Sequence, residues 1–246
     1  MAQAGIKNYF EVANAQLNEV LASQLQVMET VAELWADAIQ AKHLLYAFGS
    51  GHSRFIAGEL FFRAGGLAPV MTIDDPALGK AERIEGYAES FMGRYAIEKG
   101  DLLVVISNSG INALPIEVAM HGKSQGAAVI ALTNYEQSKK ANSRHSSGKK
   151  LYEVSDIILD NRGTQGDAAV DIPGKTWKVA PTSTLVSVAI LNAIVAQTAH
   201  NLANAGVTPP VLLSANVPEG DAHNQQIIKE YWPRLTSFPL RKISSG

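Results

Sequence analysis

The sequence predicts a three-layer α/β/α sandwich around a parallel, Rossmann-like sheet of five strands. Short apolar runs alternate along the chain with segments of helical pattern. Strands that are buried on both faces give such near-continuous apolar runs, and the helices between them cover the faces. Connections between parallel strands are almost always right-handed, which favours a doubly wound sheet. The predicted strands are residues 43–48, 67–73, 102–106, 127–132 and 156–159.

A long amphipathic helix is predicted ahead of the first strand, over residues 6–40. Its apolar side chains recur at three- and four-residue steps, which is typical of a helix with one buried face. This stripe consists of Leu21, Leu25, Met28, Val31, Trp35 and Ile39. We expect it to pack on the domain or on a second subunit. Because no linker is apparent, residues 1–40 are predicted to be an N-terminal helical segment, and residues 41–246 one domain with a helical tail.

The remaining segments are predicted from periodicity and from breaker residues. Residues 77–95 contain several glycines and are predicted to be only partly helical. The polar residues 135–150 and the Gly- and Asp-rich residues 161–174 predict loops. The other predicted helices are residues 54–64, 112–123 and 181–203, with a short amphipathic helix before Pro233.

Composition excludes several classes of protein. Hydrophobic residues make up 46% and charged residues 18% of the chain, which excludes a disordered protein. Cysteine is absent, so no disulfide or thiolate chemistry is available. A net charge of −2 without a basic run argues against binding of nucleic acid. No histidine pair has metal-ligand spacing, so we predict no metal site.

No apolar stretch reaches the roughly 18 uninterrupted residues that span a bilayer. The N-terminus also lacks a charged region followed by an apolar one, as a signal peptide would have. We therefore expect a cytoplasmic protein without membrane contact.

Two hydroxyl-rich loops follow predicted strands and open predicted helices. The first is Gly49-Ser50-Gly51-His52-Ser53 and the second is Ser107-Asn108-Ser109-Gly110. Free N–H groups at helix starts and serine hydroxyls bind anions. Loops at the carboxyl ends of parallel strands converge on one crevice. The candidate ligand-binding residues of these two loops are Gly51, His52, Ser53, Ser107, Asn108 and Ser109.

The first loop fits no nucleotide fingerprint. Arg54 stands where the third glycine of a dinucleotide motif would fall, and no Gly-Lys-Ser/Thr occurs. No cofactor is predicted. A third hydroxyl cluster, Thr182 and Ser183 at a helix start, is equally consistent with a ligand site and with an N-cap.

These motifs resemble the sugar isomerase (SIS) domain family of phosphosugar-binding proteins. The signatures are residues 48–54, 99–110 and 126–134, and the resemblance covers about residues 40–205. Within the family, the chain is similar to small single-SIS proteins related to phosphoheptose isomerase. The resemblance implies that Ser107, Asn108 and Ser109 hold the phosphate of a sugar phosphate. It also implies that Asn112 replaces a Ser or Thr that is common in relatives.

The resemblance further implies an aldose/ketose phosphosugar isomerase that uses a carboxylate base and an enediolate. The alternatives are a non-catalytic phosphosugar sensor and a phosphosugar ether lyase. Glu59 is the first candidate base, and the competing interpretation is an ion pair with Arg63 at i, i+4 spacing. Phosphoheptose isomerases carry their catalytic Glu near the position of Arg63. Their catalytic His lies on the helix after the fifth strand, where this chain has none before His200.

Other candidate acid–base groups lie outside the signatures. Glu82, Glu85 and Glu89 precede the third strand, where a solvated helix face is the alternative explanation. Glu85 and Glu89 belong to a stretch that looks like one in the etherases of the family. His223 lies in a polar tail that is able to reach a neighbouring subunit. Since SIS proteins often build sites between subunits, we expect a homodimer or homotetramer.

Overall fold

A computed structural model describes residues 4–231 and Arg234, and it contains the predicted five-stranded sheet. The strands run parallel in the order β2-β1-β3-β4-β5. Each of the five strands overlaps one of the predicted apolar runs. Their bounds are β1 Leu45–Gly49, β2 Val70–Ile73, β3 Leu102–Ile106, β4 Ala128–Thr133 and β5 Ile157–Asp160.

Eight helices in the described part of the chain surround this sheet. They are α1 Ala4–Gln40, α2 Ser53–Glu59, α3 Glu89–Met92, α4 Ala113–Ser124, α5 Tyr135–Lys140, α6 Leu151–Val154, α7 Ser183–Asn204 and α8 Gly220–Tyr231. Two separate apolar clusters lie on the two faces of the sheet. One joins α1, α2 and α7 to alternate strand residues such as Val104, and the other joins α3, α4 and α6 to their neighbours such as Val105. This arrangement confirms the α/β/α sandwich.

The apolar stripe of α1 is divided between core and solvent. Trp35 and Ile39 are buried in the first cluster, and α1 packs along α7. Leu21 and Leu25 are instead 57% and 48% exposed. The C-terminal half of the stripe therefore packs on the domain, whereas the N-terminal half is not covered by any part of residues 4–231 or by Arg234.

The structure differs from the sequence-based expectation in three segments. Residues 135–150, predicted to be a loop, begin with α5, which starts where Asn134 Oδ1 accepts a hydrogen bond from Gln137 N at 3.1 Å. The predicted 161–174 loop contains β6 (Ala168–Asp171), which pairs with β7 (Lys178–Pro181) as an antiparallel hairpin. The helix predicted over residues 54–64 ends earlier, since α2 stops at Glu59. Residues 77–95 are mostly turns with the short α3, as expected of a partly helical segment. Pro233, beyond α8, lies outside the described residues.

One helix of the described residues, α7, is long and apolar enough to cross a membrane by length and composition. Core helices of globular domains pass the same test. Val186, Ile190 and Ile194 of α7 are buried against α1 and the sheet. The apolar character of α7 is therefore explained by its packing.

Candidate functional site

A cleft of about 570 Å³ opens at the carboxyl ends of β1 and β3. From β1 the chain crosses to β2 on one side, and β3 lies on the other side. The strand order therefore reverses between β1 and β3, and such switch points are where open α/β sheets bind ligands. Residues 50–53, 78–80 and 107–109 contribute to the walls, and Asp167, Ser183 and Thr184 contribute from the far side.

The loop after β1 and the loop after β2 are locked together by a buried carboxylate. Asp75 Oδ2 accepts hydrogen bonds from Ser50 Oγ and from Gly79 N, both at 2.7 Å. A Cβ on Gly79, which has a φ of +91°, would lie 2.7 Å from Gly51 Cα. Only glycine permits this approach, so the two walls of the cleft have a fixed spacing.

The loop after β3 turns sharply into α4. Gly110 N donates to Ser107 Oγ at 3.2 Å, and Gly110 has a φ of +63°. A Cβ on Gly110 would lie 2.8 Å from Ser138 Oγ, so a side chain has no room here. Ser109 lines the cleft, and its hydroxyl makes no hydrogen bond to any described residue. This turn therefore directs hydroxyls and the N-terminus of α4 toward the cleft, an arrangement that is suited to binding an anion.

Two asparagines of the same wall are each held by a neighbour outside it. Asn161 Nδ2 donates to Asn108 Oδ1 at 2.9 Å. Arg144 Nη1 donates to Asn112 Oδ1 at 2.7 Å. The structure thus brings together in one cleft the predicted residues Gly51, His52, Ser53, Ser107, Asn108, Ser109 and Asn112.

The third hydroxyl cluster serves mainly to start α7. Asp167 Oδ1 accepts from Ser183 N at 2.9 Å, and its Oδ2 accepts from Ser183 Oγ at 2.6 Å. Thr182 is fully buried, lies outside the lining of the cleft, and its Oγ1 has no hydrogen-bond partner in the described chain. Asp167, rather than a hydroxyl, therefore caps α7, although Ser183 does reach the cleft.

The structure does not bring the base candidates Glu59, Glu85 and Glu89 to this cleft. Glu59 forms an ion pair with Arg63 at i, i+4 spacing, which favours the alternative interpretation. Glu85 lies on the surface, where hydrogen bonding with Ser146 lowers the pKa of its carboxyl below the usual value. Glu89 lines a separate depression beside His121.

His223 also lies away from the cleft. Its Nε2 is 2.9 Å from Val211 O, in a groove between the end of α1 and α8. Within one protomer this histidine has a backbone partner and is remote from the predicted ligand loops. A role for His223 in a neighbouring subunit's site stays a prediction.

Glu82 is the acidic residue for which the sequence pattern favours a solvated helix face. It lines the cleft in a turn of the loop after β2. A Cβ on Gly51 would lie 3.9 Å from Glu82 Oε2, which places the carboxylate beside the first ligand loop. This carboxylate makes no hydrogen bond or ion pair within the described residues. Strand order places Glu82 there, because residues that follow β2 lie next to residues that follow β1.

Lys80 lines the same wall and has an exposed side chain with no acidic partner among residues 4–231 and Arg234. The cleft therefore combines hydroxyl and amide donors, one unpaired cation and one unpaired carboxylate. The described residues contain no group of three His, Asp or Glu side chains able to hold a metal ion. This set of groups is suited to binding an anion and moving a proton.

Comparison with known proteins identifies the family of this chain. Residues 8–134 match the SIS domain family model. The chain is 39% identical to a UPF0309 protein of Shouchella clausii, over 92% of this chain and 96% of that protein. The chain therefore belongs to the SIS domain family, and within it the UPF0309 proteins are similar to it over nearly their whole length.

Solved structures show the same fold at low identity. Phosphoheptose isomerase GmhA from Neisseria gonorrhoeae has a TM-score of 0.57 and 19% identity, covering 81% of this chain and 100% of that one. A phosphoheptose isomerase from Francisella tularensis has a TM-score of 0.57 and 16% identity, covering 80% and 98%. These similarities confirm the predicted SIS fold.

Proposed function

We propose that this protein binds a sugar phosphate in the switch-point cleft and interconverts its aldose and ketose forms. One observation carries the proposal. A turn of anion-binding type, at Ser107 to Gly110, and an unpaired carboxylate, Glu82, line the same cleft. The similarity in fold to phosphoheptose isomerases supports a phosphosugar as the ligand.

The phosphate is proposed to sit against the N-terminus of α4. Ser109 and Ser107 supply hydroxyl donors, and the helix supplies backbone N–H groups and a favourable dipole. A phosphate held there fixes the pose of the sugar, which then extends toward the loop that contains Glu82. Orientation of this kind lowers the barrier to reaction, because the reacting atoms are already aligned.

The proposed chemistry is a proton transfer between adjacent carbons. The Glu82 carboxylate removes the proton from C2 of the aldose, and the C–H electron pair forms the C1–C2 double bond of an enediolate. The same carboxyl returns the proton to C1, while the hydroxyl proton at C2 moves to the oxygen at C1, which gives the ketose. Lys80 faces the cleft as a cation that stabilises the negative oxygen of the intermediate.

The direct test is solvent exchange. Aldose phosphates incubated with the protein in D₂O should lose the C2 proton signal in NMR spectra, and ketose phosphates should lose a C1 proton signal, because proton removal precedes every product. An ether lyase would also exchange this proton but would release the ether substituent. Binding without exchange by any aldose or ketose phosphate would overturn the isomerase and leave a sensor.

We further propose a cytoplasmic location, since a doubly charged sugar phosphate does not cross a bilayer unaided.

The phosphate site gives the first prediction. Ser107→Ala combined with Ser109→Ala should weaken phosphosugar binding by about 1–3 kcal/mol, because two hydroxyl donors are lost while the amides of α4 remain. Titration calorimetry measures the change. Ser124→Ala, at the far end of α4, is the control and should leave the affinity unchanged. Unaltered binding by the double variant would place the phosphate elsewhere.

We also propose that the protein is a homodimer or homotetramer. Ile6, Phe10, Leu21 and Leu25 form an exposed apolar row on α1, and each is at least 48% exposed. Removing such a row from water favours association. Leu21→Glu with Leu25→Glu should lower the oligomeric state in sedimentation velocity, whereas Gln26→Glu should not. A wild-type monomer at micromolar concentration would contradict the proposal.

A further inference from the structure

The amide of Asn112 has a defined orientation in the cleft. Asn112 is 7% exposed and lines the cleft at the start of α4. Its Oδ1 accepts from Arg144 Nη1 at 2.7 Å. Arginine has donors only, so the oxygen of the amide faces Arg144 and the NH₂ group faces away from it. That Nδ2 makes no hydrogen bond to the described residues.

The amide of Asn108 is oriented by a longer relay. Gly163 N, which is necessarily a donor, donates to Asn161 Oδ1 at 3.0 Å. The Nδ2 of Asn161 is therefore its remaining group, and it donates to Asn108 Oδ1 at 2.9 Å. Asn161 is 1% exposed, so the relay is buried. The Nδ2 of Asn108 is again left without a partner in the described chain.

Arg144 also places a positive charge near the N-terminus of α4. The backbone N–H of Arg144 donates to Ile111 O at 2.8 Å, which anchors the 141–150 loop beside the start of the helix. Within the described residues no carboxylate lies within ion-pair distance of its guanidinium. A cation near a helix N-terminus is unfavourable, and a bound anion would reverse that effect.

We propose that Arg144 and Asn161 are positioning residues that turn both amides so that each offers its NH₂ group, and not its oxygen, to the phosphate subsite. The inference rests on the proposed function, since it deepens the same site. A fully ionised phosphoryl group has only acceptors and matches such a subsite. An unphosphorylated sugar hydroxyl or a protonated phosphoryl group accepts fewer hydrogen bonds from these donors and therefore binds more weakly. The subsite thus selects the doubly charged phosphate by the orientation of two neutral side chains.

Inorganic phosphate is the probe for the first experiment. Arg144→Met should weaken its binding about tenfold in titration calorimetry, because the Asn112 amide becomes free to turn and a charge is lost. Lys149→Met removes one positive charge from the same loop without contacting Asn112, and it should change the affinity less than about twofold. Arg144→Lys should recover part of the loss, since lysine is also a donor to Oδ1.

A double-variant cycle separates positioning from charge alone. Asn112→Ser keeps a good N-cap residue and a hydroxyl donor that needs no orienting partner. In the Asn112→Ser background, Arg144→Met should lower phosphate affinity by no more than Lys149→Met does. Asn112→Asp, held by the same arginine, should present an acceptor and weaken phosphate binding about a hundredfold. Circular dichroism spectra confirm that each variant is folded.

The outcomes separate the positioning role from the phosphate site. The positioning role is overturned, and the phosphate site stands, if Arg144→Met lowers phosphate affinity equally in both backgrounds. The same holds if it lowers the affinity no more than Lys149→Met does in the wild type. If the wild-type protein binds no phosphate, or if Ser107→Ala with Ser109→Ala leaves binding unchanged, the proposed function fails and this inference fails with it.

Discussion

Glu82→Gln is expected to reduce turnover of the sugar phosphate by about a hundredfold or more, with ligand binding nearly unchanged. The amide keeps the size of the side chain and removes the base. Glu82 lies beside Gly51 in the cleft, and unlike Asp167, which is bonded to Ser183, its carboxylate has no partner among the described residues. Exchange of the C2 proton in D₂O measures the same step without dependence on product release.

Glu59→Gln is the matched control for this prediction. Glu59 is the base that the sequence favours, but it is paired with Arg63 outside the cleft lining. Its change to glutamine should leave turnover near the wild-type value. A loss with Glu59→Gln and none with Glu82→Gln would reverse the assignment. Turnover retained by both variants would direct the search to Glu85, Glu89 and the His223 of a neighbouring subunit.

Asp101→Ala is expected to lower the free energy of unfolding by about 3–5 kcal/mol, as is typical when one partner of a buried ion pair is removed. Asp101 is fully buried at the start of β3. Its oxygens accept from Leu44 N at 2.9 Å, Glu98 N at 2.8 Å and Arg234 Nη2 at 2.6 Å. Alanine would leave the two amides without this acceptor, and Arg234 would keep only its weaker contacts with Glu98 Oε2 and Ala96 O.

Urea denaturation measures this effect, and Asp156→Ala is its control. Asp156 also accepts from a strand amide, Val129 N, and from a cation, Lys123 Nζ, but its side chain is 41% exposed. Water replaces those partners, so the cost should be only about 1 kcal/mol. Equal losses for the two variants would show that burial does not determine the strength of the Asp101 contacts.

Local patterns in the sequence are sufficient for the parts of the fold in which neighbouring residues decide the structure. The strand runs are continuous because both faces are buried, and every residue of β1 and β3 is indeed buried. The hydroxyl-rich turn after β3 is also local, since Gly110 and the serines before it are adjacent in the chain. For this reason the hydroxyl-rich side of the cleft was predictable from the sequence.

The acid–base side of the cleft depends on pairing between distant segments. Glu82 comes beside Gly51 only because β2 lies next to β1, and periodicity does not give strand order. The cap of α7 comes from Asp167, which precedes Ser183 by 16 residues and is carried there by the turn before the β6–β7 hairpin. That hairpin was not predicted because glycine and aspartate residues around it are typical of a loop. Each missed feature is a contact between segments that are separate in the sequence.

The packing of α1 along α7 has a consequence for synthesis of the chain. Thr198 Oγ1 of α7 meets Ala32 O of α1 across a sequence separation of 166 residues. At ordinary rates of translation this distance takes roughly 10–30 s to produce. During that time the face of α1 that carries Trp35 has left the ribosome without the helix that will cover it. The nascent chain is therefore exposed to aggregation through its first helix, and its folding is completed late, when α7 emerges.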